Sequence, residues 1–187
     1  WIITRTGIRE RRIADENTAT SDLATEAGKR ALLDAGIDAS ELDLIIVATA
    51  TPDHAFPSTA AIVQKNIGAS KAAAFDISVG CSGFVYAMVT GTTFITSGIY
   101  KKVMIIGAET LSKIVDWTDR NTCVLFGDGA GACILESCDE SFGILSSELG
   151  SDGVNGEVLI LPAGGSRMPS TEETVREKLN TIKMDGK

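Results

Sequence analysis

Histidine is almost absent: His54 is the only one in 187 residues. The cysteines, Cys81, Cys123, Cys133 and Cys138, include no C-x-x-C pair. Together these argue against a structural zinc site, and no metal is expected. No apolar run approaches the ~20 residues that a membrane-spanning helix needs. The first residues, "WIITRTGIRERR", lack the charged-then-apolar order of a secretory signal. They also lack an initiator methionine, and the chain reads as a piece of a longer protein, cut at both ends. Basic charge is scarce: 17 Lys and Arg stand against 25 Asp and Glu, a net −8. No broad basic field exists to gather phosphates, which argues against a nucleic-acid binder. A mostly apolar chain without a secretory signal does not need disulfides, and a reducing, cytoplasmic setting fits.

What is present is a core. The chain is 44% hydrophobic and 22% charged, enough for one globular domain. Leu23, Ala27, Ala31 and Ala35 recur at helical spacing and predict a helix over residues 20–36, with Thr20 or Ser21 as cap and Gly36 as left-handed stop. "LDLIIVATAT" (42–51), "AAAFDIS" (72–78) and "KVMIIGAE" (102–109) are short continuous apolar runs, the pattern of strands buried on both faces. Helices are predicted between them, over 58–68 after a Ser58 cap and over 82–98. Residues 130–137 and 143–150 read as paired strands. The remainder is mostly loop, with an apolar strip at 158–161. The order β-α-β-α-β, then β-β, predicts an α/β fold with a mostly parallel sheet and helices on both faces. The expectation is one domain over 1–187, with 163–187 a loop leading into structure beyond the chain.

Two features carry chemistry. Arg5, Arg9, Arg11 and Arg12 cluster near the start, and read either as a solvated face or as a pocket for a small polyphosphate. Cys81 lies between a predicted strand and a predicted helix, with Gly80 before it and Ser82-Gly83 after it. The free N–H groups of a helix N-terminus carry partial positive charge, which favours an anionic sulfur. Small neighbours leave the sulfur reachable and let backbone N–H groups approach an oxyanion. That is the setting of a nucleophile that accepts an acyl group as a thioester. The same residues also suit a buried cysteine in a tight turn, and locally both readings stay open. Cys123 and Cys133 read as small buried hydrophobes. "GDGAGA" (127–132) leads into a strand rather than a helix, so it reads as a close-packed turn and not a dinucleotide loop.

Five stretches in order, "WIITRTGIRERR", "ATPDHAFPS", "DISVGCSGF", "TDRNT" and "FGDGAGA", resemble β-ketoacyl-acyl carrier protein synthase III, a thiolase-like condensing enzyme. The resemblance covers essentially the whole chain. It implies one half of a layered α-β-α-β-α subunit, in which a cysteine takes an acyl group, usually acetyl, from coenzyme A. Malonyl-acyl carrier protein then decarboxylates, and its carbanion attacks the thioester, priming fatty-acid synthesis. Acyl-CoA is then a substrate and no cofactor is implied.

Cys81 matches the family nucleophile. Trp1 and Arg120 match the pair that sandwiches the adenine of coenzyme A, and Arg5 a residue near the pantetheine–nucleotide end. Phe56 matches a residue that crosses a homodimer interface into the partner's acyl pocket, and Phe126 an inner pocket residue beside the cysteine. The dimer implied would pair the 72–78 strand with its copy. The family's histidine and asparagine, from the second half of a subunit about twice this length, are not matched here, so the chain alone is expected not to complete condensation. Val79 and Asn121 depart from the residues common in the family. The rival readings are another thiolase-like synthase, for secondary metabolites or hydroxymethylglutaryl-CoA, and a non-catalytic dimerising half-domain.

Overall fold

The computed structural model describes residues 1–138 and 143–185. In chain order the elements are α1 (Ile2–Thr6), α2 (Thr20–Ala35), β1 (Leu44–Ala48), α3 (Thr59–Ile67), β2 (Ala73–Ile77), α4 (Gly83–Thr96), β3 (Lys102–Thr110), β4 (Asp128–Glu136), β5 (Leu159–Ile160), α5 (Glu172–Arg176) and β6 (Lys183–Met184). They form two compact units. One is built from Asp15–Glu109 and the described part of 129–149, the other from Trp1–Ala14, Thr110–Asp128 and the described chain from Gly150 onward.

The first unit is the α/β layer that the alternation predicts. Its sheet has the order β2-β1-β3-β4, with β1 parallel to both β2 and β3. All five residues of β1 are buried, so successive side chains fill opposite faces. Ile45 and Val47 pack with Ala24 and Leu32 of α2 and Ala60 and Val63 of α3. Leu44, Ile46 and Ala48 pack with Ala87 of α4, joined by Val103 and Ile105 of β3. Helices therefore cover both faces.

Local chemistry sets the helix ends. Gly36 and Gly68 take left-handed conformations after α2 and α3. Ser58 caps α3, and the Asp76 carboxylate of β2 accepts the N–H groups of Thr59 and Ala60 at 2.6 and 2.7 Å. An anion there satisfies donors that no helical carbonyl reaches. The cap of α2 differs from expectation. Ala19 occupies the position, while Thr20 donates to the Thr51 carbonyl at 2.5 Å and Ser21 to the Asp53 carboxylate at 2.6 Å. Those hydroxyls tie α2 to the loop after β1 instead of closing their own helix.

Residues 143–150 form no strand, and Leu145 is 84% exposed there. Apolar residues permit a strand, but a strand exists only where a neighbour accepts its hydrogen bonds. The glycine-rich run is also corrected: Gly129 and Gly131 belong to β4 itself, not to a turn before it.

In the second unit, Asp128 gathers distant backbone. Its carboxylate accepts from the Ala14 N–H at 2.8 Å, the Ser112 N–H at 2.8 Å and the Ser112 hydroxyl at 2.6 Å. Residues expected as loop after 163 also carry α5 and β6, the latter pairing antiparallel with β5 in the apolar strip.

Candidate active site

Three strand ends converge in the α/β unit. β1 ends at Ala48, β3 passes through Gly107 and Ala108 to Glu109, and β2 runs on into the turn Gly80–Ser82 that holds Cys81. Ligands in open parallel sheets gather at the carboxyl ends of strands. Here those ends, with the start of β4, enclose a cavity of about 260 Å³ lined by Ala48, Cys81, Phe84, Glu109 and several glycines.

The turn that holds the sulfur takes a left-handed backbone that favours glycine. Gly80 sits at φ 55°, while Cys81 follows in helical geometry and leads straight into α4. Close packing keeps α4 against the sheet. A methyl group on Gly83 would stand 3.0 Å from the Ala48 Cβ, and one on Gly91 would stand 2.8 Å from Ile105 Cδ1. Gly83, Ala87 and Gly91, each four residues apart, are the buried residues of the helix. Small residues at this spacing bring the helix onto the strands and place Cys81 at the cavity rim, exposed.

The N-terminus of α4 contrasts with that of α3. Its cap, Ser82, makes no side-chain hydrogen bond to the helix, and its first turn holds no acidic residue. Neither a Ser82 capping bond nor a first-turn acid takes up the positive end of the macrodipole beside Cys81. Cys133, by contrast, is half-buried with its sulfur 3.5 Å from that of Met88, and burial pushes its thiol up. The expectation of a small core thiol fits Cys133 and does not fit Cys81.

The other unit holds a second cavity, of about 380 Å³, with Trp1 and Arg120 on its wall together with Val124 and Met184. Arg5 lies over the Trp1 ring, its guanidinium carbon 6.0 Å from the centroid. Asp119 shapes the turn that presents Arg120, accepting from the Asn121 N–H at 3.0 Å and the Thr122 hydroxyl at 3.0 Å. Of the other early arginines, Arg11 donates to the Val124 carbonyl, while Arg9 and Arg12 are exposed. Among the described residues no group of His, Cys, Asp and Glu is placed to hold a metal ion, and no helix is long and apolar enough to cross a membrane.

A family model described as 3-oxoacyl-[acyl-carrier-protein (ACP)] synthase III matches residues 75–153, which span the Cys81 turn, α4 and β4. Beta-ketoacyl-[acyl-carrier-protein] synthase III of Caldanaerobacter subterraneus subsp. tengcongensis is 63% identical over 186 residues, covering 100% of this chain and 56% of the relative. Over its whole length the chain is similar to β-ketoacyl-acyl carrier protein synthases III. A second synthase III, of Natranaerobius thermophilus, is 57% identical over 189 residues, 100% of this chain and 57% of that protein. The crystal structure of 3-oxoacyl-[acyl-carrier-protein] synthase III from Aquifex aeolicus VF5 superposes with a TM-score of 0.86 at 46% identity, over 100% of this chain and 55% of that one. The chain thus spans about half the length of the synthase III relatives it matches.

The residues that the synthase III resemblance singles out are divided between the two units. Cys81 lines the α/β cavity, and Trp1 and Arg120 share the other. Arg5 reaches Trp1 but is not on that cavity's wall. Phe56 is 85% exposed in the loop between β1 and α3, and His54 is exposed in the same loop. Phe126 is half-buried in the second unit and is not among the residues lining the Cys81 cavity. The residue that sequence reasoning passed over is Glu109. Its signal was an acidic residue closing the buried run "KVMIIGAE", at the end of a parallel strand where ligands bind.

Proposed function

We propose that the protein carrying this chain transfers an acyl group, acetyl by preference, from coenzyme A to Cys81, and condenses it with malonyl-acyl carrier protein to prime fatty-acid synthesis. The observation that carries this reading is the position of Cys81: exposed, at the rim of a cavity where strand ends meet, immediately before the N-cap of a helix to which the Ser82 side chain makes no capping bond. The sulfur, as thiolate, attacks the thioester carbonyl carbon, and the electron pair of the C=O moves to oxygen. Backbone N–H groups at the turn suit that oxyanion. The oxyanion's electron pair returns to re-form the C=O, the C–S bond to coenzyme A breaks, coenzyme A leaves as its thiolate and takes a proton from solvent, and the acyl group stays on Cys81. In the second half-reaction malonyl-acyl carrier protein releases carbon dioxide. Its carbanion bonds the acyl carbonyl carbon, and the Cys81 sulfur is the leaving group. The residues that stabilise that carbanion in the family have no match in this chain, so acyl transfer is the step its own residues carry.

Trp1 and Arg120 are assigned to the adenine of coenzyme A, with Arg5 toward its phosphates. An indole and a guanidinium stack well on a purine. Phe56, projecting from its loop, and β2, at the edge of the sheet, suit a homodimer built across that edge. Acyl-CoA is a substrate, no cofactor takes part, and the cytoplasm is the setting.

Mass spectrometry of the intact protein after mixing with acetyl-CoA tests the assignment. One acetyl group is expected on Cys81, and none on Cys81→Ser. An acetyl group that the serine variant takes up equally would overturn it. In steady-state assays Arg120→Ala is expected to raise KM for acetyl-CoA by about tenfold with kcat little changed.

A further inference from the structure

We infer that Glu109 is a positioning residue that fixes the floor of the Cys81 cavity by clamping the chain immediately after β1. This rests on the reading of Cys81 as an acyl acceptor. Glu109 accepts from the Ala50 N–H at 2.8 Å through one oxygen. Through the other it accepts from the Thr51 hydroxyl at 2.6 Å and the Thr49 hydroxyl at 3.4 Å. Three consecutive residues, all directly after Ala48, are thus held by one carboxylate from a neighbouring strand. Ala48 is also the residue on which Gly83 rests, two positions past Cys81, and both line the cavity.

The clamp closes from the far side as well. Thr20 donates to the Thr51 carbonyl at 2.5 Å, and Asp53 accepts from the Ser21 N–H at 2.9 Å and the Ser21 hydroxyl at 2.6 Å. The chain leaving β1 is therefore held by β3 on one side and α2 on the other. Every Glu109 contact named here donates to it, the pattern of a carboxylate used purely as acceptor. A neutral amide of the same shape keeps the Ala50 bond but turns its NH₂ toward Thr51, so the charge-assisted bond is lost. The consequence falls on substrates that need the cavity: an acyl group attacked by Cys81 must lie on the Ala48 floor, whereas a small alkylating reagent need not.

The test compares two rates in the intact protein: acetyl transfer from acetyl-CoA to Cys81, read by mass, and alkylation of Cys81 by iodoacetamide. Glu109→Ala is expected to slow acetyl transfer about tenfold, and Glu109→Gln to slow it less. Alkylation should hold at the parental rate in both, and the Ala50 amide, whose acceptor Glu109→Ala removes, should exchange faster in that variant. Thr51→Val, which removes one arm of the clamp, should slow transfer too. Combined with Glu109→Ala it should add little further loss, as coupled residues do. Acetyl transfer at the parental rate in both Glu109 variants overturns the clamp. So does alkylation falling in step with transfer, which would show the turn itself disturbed. Should Glu109→Ala not fold, Glu109→Gln and Thr51→Val carry the same comparison. A parent that takes no acetyl group overturns the acyl-acceptor reading, and this role with it.

Discussion

At the residue scale the informative contrast is between thiols. Cys81 and Cys133 both follow apolar sequence, yet one is exposed at a helix start and the other is half-buried against Met88. Burial raises the Cys133 thiol, so less of it is anionic at any given pH. Iodoacetamide titration followed by peptide mass mapping should therefore label Cys81 first, with Cys133 lagging and gaining as pH rises. Equal labelling of the two would contradict the burial that separates them. Cys81 was legible in the sequence because glycines on each side and a strand-to-helix switch are local signals. Glu109 was not, because its partners lie about sixty residues away and nothing local shows which hydroxyls will meet it. Thr20 and Ser21 misled for the same reason: a hydroxyl at a helix start looks like a cap until a loop arrives to use it.

At the element scale the buried strands and the helices between them were legible, since burial on both faces writes itself as an unbroken apolar run. The short pieces were not. α1 and α5 have five residues each, too few to nucleate from their own propensity, and their ends are held by contacts and caps. Gly7 in left-handed geometry, the Thr171 cap and the acid-first, base-last order of α5 are the local traces they leave in the sequence.

Two substitutions test what holds the elements around the site. Asp76→Ala removes the anion that two N–H groups of α3 share, and should cost about 1–2 kcal/mol in chemical denaturation. Gly80→Ala places a methyl group where nothing lies within 4 Å, so its cost is backbone alone, about 1–2 kcal/mol. Gly129→Ala and Gly131→Ala, also in open space but without a left-handed backbone, should leave stability nearly unchanged.

At the scale of the whole molecule, pairs remote in sequence tie each unit together. In the second unit Lys178 donates to both oxygens of Asp116, at 3.1 and 2.9 Å, and Thr118 donates to the same carboxylate. The Thr118 hydroxyl and then Lys178 hold Asp116 far below the usual carboxylate range. A carboxylate depressed in the folded state stabilises above its unfolded value near 3.9, and that contribution is lost as pH falls through the folded value. Denaturation midpoints should fall between pH 5 and lower pH in the parent, and fall less in Asp116→Asn. An identical acid dependence in the two would remove this pair from the account. The proposed dimer belongs to this scale as well. Ala74→Pro at the sheet edge should shift light scattering toward monomer, because proline cannot donate across an extended sheet.

The contact between Gly83 and Ala48 has a consequence for how such a protein changes over evolutionary time. The sulfur's location is set by bare glycine main chain resting on a single methyl group, not by the bulk of large side groups. Exchanges around the mouth can then retune which starter molecules enter while the attacking atom keeps its coordinates. Preference is free to drift between lineages as long as those two small residues stay small.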